Sequence, residues 1–543
     1  MKVHCLDHRR LPGQNSLFLR YLYEPDQVEE FYSPVHTSFE KLEQRLQAVL
    51  KRTATYPREH LTNLLEQFNR KLGASEALLK NIEMLKSPRT VAVVTGQQVG
   101  LFGGPALTIY KAATTVRLAQ ILQEQGHSVV PVFWLASDDS DFEEARTSTF
   151  FDSEDRLLRI RCDDQQANSR MVGTIPLACS TGCLESLQAR VSKGSFREEI
   201  LQQLKKSYST GRSFREGFAF WLAELFRDSG LILFDPLIPG YKQFLGPALS
   251  VAVKHREGVI EALQKQSNRL AVKGYTPQVQ VQDDETLLFW IEGHSRYKLQ
   301  YLHGRYQARQ KRSVQLSSDQ LLNTISQSAD RLGPNVLLRP LVQDQLFPTL
   351  VYIGGPAEIA YFAQIAAISP FWNTETAVFP RAGLTIVDKK VQRLLAKYQL
   401  EPTDIFESDP HALAERLLAR GHSGPVLNEF DEISSDLANR LESLQGGIAK
   451  SDPTVAEMLS RSQRKIFYQV NKVRRRFIAN QSSRASHIGR HLDYLYLRLY
   501  PNQSLQERVI NFNHFLMEEG PEFVHRLMPH IQPFCNGHHL VYV

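Results

Sequence analysis

Three stretches of this sequence place residue types at spacings that suit ligand chemistry. In the first, Thr95-Gly96-Gln97-Gln98-Val99-Gly100-Leu101-Phe102-Gly103-Gly104-Pro105, four glycines and two adjacent amides lie between the apolar run at 91–94 and a helix-like pattern that includes Thr108 and Lys111. Backbone N–H groups at a helix start, cleared of side-chain bulk by glycine, bind phosphate or carboxylate. Two amides serve a bare turn poorly and a ligand well. The spacing is neither G-x-x-x-x-G-K-[ST] nor G-x-G-x-x-G, so neither a P-loop nor an ordinary dinucleotide site is supported. Thr95, Gly96, Gln97, Gln98, Gly100, Gly103, Gly104 and Thr108 are therefore candidate binding residues. The competing reading is a tight strand-to-helix turn with Lys111 in solvent.

The second stretch follows Trp134 and carries Asp138, Asp139, Ser140, Asp141, Glu143 and Glu144. Carboxylates this close repel one another unless they are solvated or face a cation such as a substrate ammonium, Mg²⁺ or arginine. Glu143 and Glu144 read as a helix start that suits the dipole. Asp138, Asp139 and Asp141 are the candidate catalytic groups, with Trp134 and Ser140 beside them. The third stretch repeats the first: Gly354-Gly355-Pro356 follows a buried run and leads to Glu358 and Tyr361, with Arg339 upstream. Two strand–Gly-Gly-Pro–helix elements in one sheet form both lips of a cleft; the alternative is two ordinary helix starts.

The elements that must position these groups alternate along the chain. Residues 1–90 have helical periodicity, 91–94 and 129–134 read as buried strands, and the helix between them stops at Gly126. Strand, glycine turn, helix, strand is the unit of a parallel sheet. Further strands are expected at 231–234, 336–338 and 350–353. Residues 285–302 alternate as an antiparallel insertion does. The fold expected is α/β: a parallel-sheet core over 1–385, interrupted by insertions near 155–225 and 255–330, then a helical domain over 386–510. Within that domain, apolar residues at steps of three and four predict an antiparallel coiled-coil hairpin over about 428–480. Residues 511–543 are expected to pack back on the core.

Composition narrows the classes. The chain has 543 residues and a formal net charge of +6, a small excess that does not by itself call for a polyanion. The basic run from Arg461 to Arg490 faces an acidic helix carrying Glu429, Asp431, Glu432 and Asp436, so the two read as electrostatic complements and a nucleic-acid partner is not expected. The start MKVHCLDHRR has no apolar core of a secretory leader, and no run is apolar for the roughly 18 residues a membrane span needs, which predicts a cytoplasmic protein. Five cysteines, Cys5, Cys162, Cys179, Cys183 and Cys535, make poor material for a disulfide framework and are expected as reduced thiols, with no metal site predicted.

Taken together, the three motifs resemble the cysteine-adding enzymes of bacillithiol biosynthesis. The matching pieces are residues 95–105, Pro131-Val-Phe-Trp134 with its acidic tail, Arg339-Pro-Leu-Val-Gln343, Leu346-Phe-Pro348, residues 353–361 and Leu505-Gln-Glu-Arg508; Leu11-Pro12 and Phe31-Tyr32 are similar to the family's opening. The resemblance spans nearly the whole chain. It implies a Rossmann-like core with two inserted connecting segments, a coiled coil, a homodimer, and a ligase that joins the carboxyl of L-cysteine to the amine of glucosaminyl-malate. Activation of the carboxyl by ATP or another nucleotide is expected on chemical grounds. Where the family usually has Glu-Asp-His-Asp-Phe, this chain has Asp138-Asp139-Ser140-Asp141-Phe142. Either an aspartate is the base, or a histidine comes from elsewhere, or this member is altered in activity. A nucleotide-dependent transferase of another class and a non-catalytic coiled-coil scaffold are the alternatives.

Overall fold

An unbroken apolar run such as Val91-Ala-Val-Val94 suits a strand covered on both faces. In the computed structural model, which describes residues 1–32, 37–51, 58–163, 169–419, 424–484 and 486–543, that run opens β1 (Val91–Gln98). Its side chains alternate: Ala92 and Val94 join one apolar cluster with Trp134, Ile232 and Phe234, while Val91 and Val93 join another with Leu118, Leu122, Leu350 and Phe379. The chain continues through α1 (Leu107–Glu124), β2 (Val129–Ala136), α2 (Phe142–Ala145), α3 (Phe214–Leu225) and β3 (Ile232–Phe234). After a long insertion come α4 (Arg339–Leu346), β4 (Thr349–Gly354), α5 (Pro356–Ile365) and β5 (Val378–Pro380). The five strands form one parallel sheet in the order β5-β4-β1-β2-β3.

The insertion before β4 carries an antiparallel sheet in which 285–292 pairs with 295–302, as their alternation predicts. Residues 336–338 differ from expectation. The strand lies at Leu332–Pro334, and Asn335 then turns the chain, its Oδ1 accepting from the N–H groups of Leu337 and Leu338 at 3.0 Å, into α4. An apolar triplet is too short for periodicity to separate a strand from a buried turn.

The chain divides into two compact units. One comprises residues 1–9, 13–385 and 506–541; the other comprises 10–12, 386–505 and 542–543. In the second, α6 (Gly424–Ala449) and α7 (Pro453–Arg484) pack as a helical hairpin. Asp452 caps α7 by accepting from the N–H groups of Thr454 and Val455, and Arg474 bonds Asp431 of α6 at 3.1 Å. Among the described residues no helix is long and apolar enough to cross a membrane.

The glycine-rich turn after β1 is held from inside the protein. The Gly103 N–H donates to the Tyr208 hydroxyl at 2.7 Å, and that hydroxyl donates to the Gly100 carbonyl at 2.9 Å. The Asn511 amide donates to the carbonyls of Phe102 and Gly104 at 2.9 and 2.8 Å, and Asn513 donates to Phe102 at 2.8 Å. Gly103 has φ +89°, and a Cβ there would lie 2.2 Å from the Trp221 ring. Replacing Gly103 with alanine therefore combines backbone strain with overpacking. It is expected to lower the unfolding free energy by about 2–4 kcal/mol, read as a shift in the urea midpoint at unchanged m.

The cysteines depart from the reduced state expected of them. Cys5 pairs with Cys535, and Cys162 with Cys179, while Cys183 is buried and free. The partners of the first pair stand 530 residues apart, a proximity that spacing does not reveal. Near that pair, burial holds two neutral histidines far below their ordinary pKa, His8 at about 4 and His538 at about 3. The unfolded chain takes up protons near 6.5 while the native state does not, so stability falls as pH drops from about 7 toward 4. The slope approaches about 1.4 kcal/mol per pH unit for each histidine. Urea titrations at pH 7, 6 and 5 measure it. His8→Phe, whose ring already packs edge-on to Phe18, is expected to reduce the slope by about one such increment.

Candidate active site

In an open parallel sheet, ligands bind outside the carboxyl ends of the strands where the strand order reverses. Here that point lies between β1 and β4, since the chain runs from β1 to β2 on one side and from β4 to β5 on the other. A cavity of about 610 Å³ opens there. Its walls include Gly96, Gln97, Gln98 and Lys111 from the first motif, Trp134, Asp138, Asp139 and Glu144 from the second, and Arg339, Gly355, Glu358 and Tyr361 from the third. Arg296 and Lys298 enter from the inserted sheet, and Arg381 and Arg508 from further along the chain.

β1 runs as strand through Gln98 instead of ending at Val94, which sends Gln97 and Gln98 to the cleft mouth. The Gln98 amide donates to Asp139 Oδ2 at 2.5 Å, binding the first motif to the second. Lys111 binds the first to the third. Its buried Nζ donates to both oxygens of Glu358 at 2.8 Å and to Gln97 Oε1 at 3.2 Å. Glu358 also accepts from the Gly355 N–H and the Tyr352 hydroxyl, each at 2.7 Å. Burial pulls the Lys111 ammonium below its usual pKa, against the attraction of Glu358. Burial would raise the Glu358 carboxyl, but Lys111 and the Gly355 N–H hold it below the usual range.

Most charges on the walls are matched. Besides Lys111–Glu358, Arg296 pairs with Asp139 and Lys298 with Glu285. Arg381 makes a bidentate bond, at 2.8 and 2.5 Å, to the buried Glu507, whose carboxyl is brought down to about 2 by the arginine despite its burial. Glu507 also accepts from the Leu384 N–H at 2.9 Å. Four groups remain. Arg339 and Arg508 have no carboxylate at ion-pair distance among the described residues; Arg339 bonds Gln343 at 3.1 Å and lies 4.9 Å over the Tyr352 ring. Asp138 and Glu144 have no cation at that distance, and burial raises both carboxyls, Asp138 against the more distant pull of Arg296 and Lys242. The cleft thus holds two unmatched arginines and two unmatched carboxylates.

Several residues of the motifs do not line this cleft. Gly100, Gly103, Gly104 and Thr108 are buried behind it in the turn described above. Thr95 donates its hydroxyl to the Ile353 carbonyl at 2.9 Å, joining β1 to β4, and Gly354 packs against Val378. Asp141 is exposed and caps α2 through the Glu144 N–H at 3.2 Å; Ser140 Oγ accepts from Arg296 Nε at 3.2 Å. Asp139, which also accepts from the Ser140 N–H at 2.6 Å, is saturated with donors and braces the loop. Sequence reasoning gave Glu144 only a helix-dipole role and left out Arg296, Arg381 and Arg508. A hint for Arg508 lay in the Leu505-Gln-Glu-Arg508 motif. Among the described residues no group of three or more His, Cys, Asp or Glu is placed to hold a metal ion.

A doubly wound α/β unit whose switch-point cleft carries unmatched charges of both signs, together with a unit built around a coiled-coil hairpin, defines a class of small-molecule-binding α/β protein. Residues 1–382 match the family model described as "Bacillithiol biosynthesis BshC, N-terminal Rossmann-like domain", and 384–543 match that of its "C-terminal coiled-coil domain". The chain belongs to the BshC family. Among similar proteins, one of Solibacter usitatus is 32% identical over 100% of both chains, and one of Koribacter versatilis is 32% identical over 96% of this chain and 97% of its own. One of Salinibacter ruber is 28% identical over 97% of this chain and 96% of its own. All three carry the name "Putative cysteine ligase BshC".

Proposed function

We propose that this protein is an amide-forming ligase that joins the carboxyl of L-cysteine to the amine of glucosaminyl-malate in the bacillithiol pathway, acting in the cytoplasm as a homodimer. The observation that carries the reading is that one cleft holds unmatched charges of both signs. Glucosaminyl-malate is anionic at its malate end and basic at its amine. Arg339 and Arg508 suit the malate carboxylates. Asp138, whose carboxyl burial has made more basic, takes the proton the amine must lose before it attacks; Glu144 at the rim relays it outward. Asp139 positions Gln98 and Arg296, and Gln97, Gln98 and Tyr361 supply neutral hydrogen bonds. An aspartate thus fills the role that the missing histidine at Ser140 would otherwise hold. A carboxylate is a poor acyl donor, so ATP or another nucleotide is expected as the activating co-substrate.

Mass spectrometry of reactions holding the purified protein, L-cysteine and glucosaminyl-malate, with and without ATP, tests the reading. The expected result is a product whose mass equals the two substrates less one water. A product formed only from a nucleotide sugar would instead support a transferase. Self-association is favoured by Ile433, Leu444, Met458 and Val473, which the hairpin leaves exposed. Light scattering is expected to give twice the chain mass.

A further inference from the structure

A second small cavity, of about 430 Å³, lies in the same unit and is lined by Arg159, Arg161, Cys179 and Cys183, with Asp163 on its wall. Cys179 is half-buried and forms part of the lining, while its disulfide partner Cys162 is 1% exposed. An incoming thiol therefore meets Cys179 first. Cys179 occupies the N-cap of the helix Ser180–Arg190, and Cys183 lies one turn along it. Burial pushes the Cys183 thiol up to about 11, and it donates to the Arg161 carbonyl at 3.5 Å, so it stays protonated and outside any exchange. The charge around the opening is uneven. Asp163 pairs with Arg146 and with Arg161, whereas Arg159 is exposed and has no carboxylate at ion-pair distance among the described residues.

This disulfide is tied to the acidic strip of the cleft, the segment 138–144 that lines it through Asp138, Asp139 and Glu144. It anchors the end of the strand Leu157–Arg161, and the Cys162 N–H donates to the Arg146 carbonyl at 2.9 Å. Arg146 bonds Glu143 at 3.0 Å, and Arg161 bonds the same carboxylate at 3.2 Å. Glu143 belongs to α2, the short helix that Asp141 caps and that carries Glu144.

We propose that the Cys162–Cys179 disulfide is an exchange site for small anionic thiols, and that its reduction loosens the acidic strip of the cleft. The thiolate of the small molecule attacks Cys179 Sγ, the Cys162–Cys179 bond breaks, and Cys162 leaves as a thiolate that takes a proton. A second small thiol then displaces Cys179 from the mixed disulfide. Two small thiols are oxidised to their disulfide, and the protein gains two electrons and two protons as a pair of thiols. Arg159 attracts thiols that carry a carboxylate. The effect on the cleft rests on the ligase reading; the exchange chemistry does not.

The test uses the full chain with Cys5→Ser and Cys535→Ser, so that one disulfide remains. The oxidised protein is mixed at low salt with 3-mercaptopropionate or with cysteamine, and adducts are located by peptide mass spectrometry after acid quench. The expected adduct is on Cys179, with Cys183 unmodified. The ratio of the anionic to the cationic rate is expected to fall about two- to fivefold in Arg159→Ala, the size of an exposed ion pair. Hydrogen exchange of residues 139–146 is expected to speed up on reduction. Neither readout needs substrate, so failure of the ligase reaction would leave both intact. Adducts on Cys162 or Cys183, a rate ratio indifferent to Arg159, or exchange over 139–146 that ignores the redox state would each overturn the proposal.

Discussion

Glu358→Ala is expected to lower the unfolding free energy by about 3–5 kcal/mol and to abolish product formation. The substitution leaves the Lys111 ammonium 1% exposed and facing only carbonyl oxygens and the Tyr352 ring. It also removes the acceptor for the Gly355 N–H at the start of α5. Breaking a buried pair from one side costs more than the pair contributes, because the remaining charge has lost its water and its partner. Replacing both members, as in Lys111→Met with Glu358→Leu, is expected to recover most of the stability but none of the activity, since the lips of the cleft are no longer tied through a charge. Urea unfolding and product assays on the single and double variants separate the two effects. A single variant within about 1 kcal/mol of the parent would show that Lys111 finds another partner.

Asp138→Asn is expected to reduce kcat by about 10²–10⁴-fold with little change in stability or in KM, which is the range of a positioned proton acceptor. Among the carboxylates lining the cleft, Asp139, Glu285 and Glu358 are each committed to a cation. Asp138 is free, and burial raises its pKa. Loss of the proton from Asp138 switches the base on, so the parent's activity should rise with pH through a limb lying above the ordinary aspartate range. Asp138→Glu, which keeps the carboxyl but shifts it, should retain a limb at reduced rate, while Asp138→Asn should show none. Full activity in Asp138→Asn would move the role to Glu144.

The legible part of this fold was the part encoded locally. The apolar runs at 91–94 and 129–134 report their own burial pattern, and the structure follows them. Residues 285–292 and 295–302 pair as an antiparallel ladder, but the first is buried almost throughout instead of alternating, and α6 and α7 pair as a hairpin although Ile433, Leu444, Ile466 and Val473, at the spacing of the expected stripes, are exposed. The two glycine motifs pointed to one cleft, but for partly different residues than expected. Glycines read as a ligand cradle proved to be a turn gripped by Tyr208 and Asn511, because close packing from within and close approach of a ligand demand the same residue type. What stayed hidden depends on pairings across long stretches of chain. Lys111 meets Glu358 from 247 residues away, Arg296 meets Asp139 from 157, and Arg381 meets Glu507 from 126. No spacing rule links such partners, so neither the matched charges nor the unmatched Arg339, Arg508, Asp138 and Glu144 could be told apart before the fold was in hand.

In the proposed reaction the two unmatched arginines hold the anionic end of the substrate in the switch-point cleft. Isothermal titration of glucosaminyl-malate into the parent protein and into Arg339→Met and Arg508→Met tests it most directly. Each variant is expected to bind at least about tenfold more weakly, as loss of a charge-assisted hydrogen bond to a carboxylate requires, and the parent's affinity is expected to fall with added salt. Unchanged affinity in both variants would contradict it.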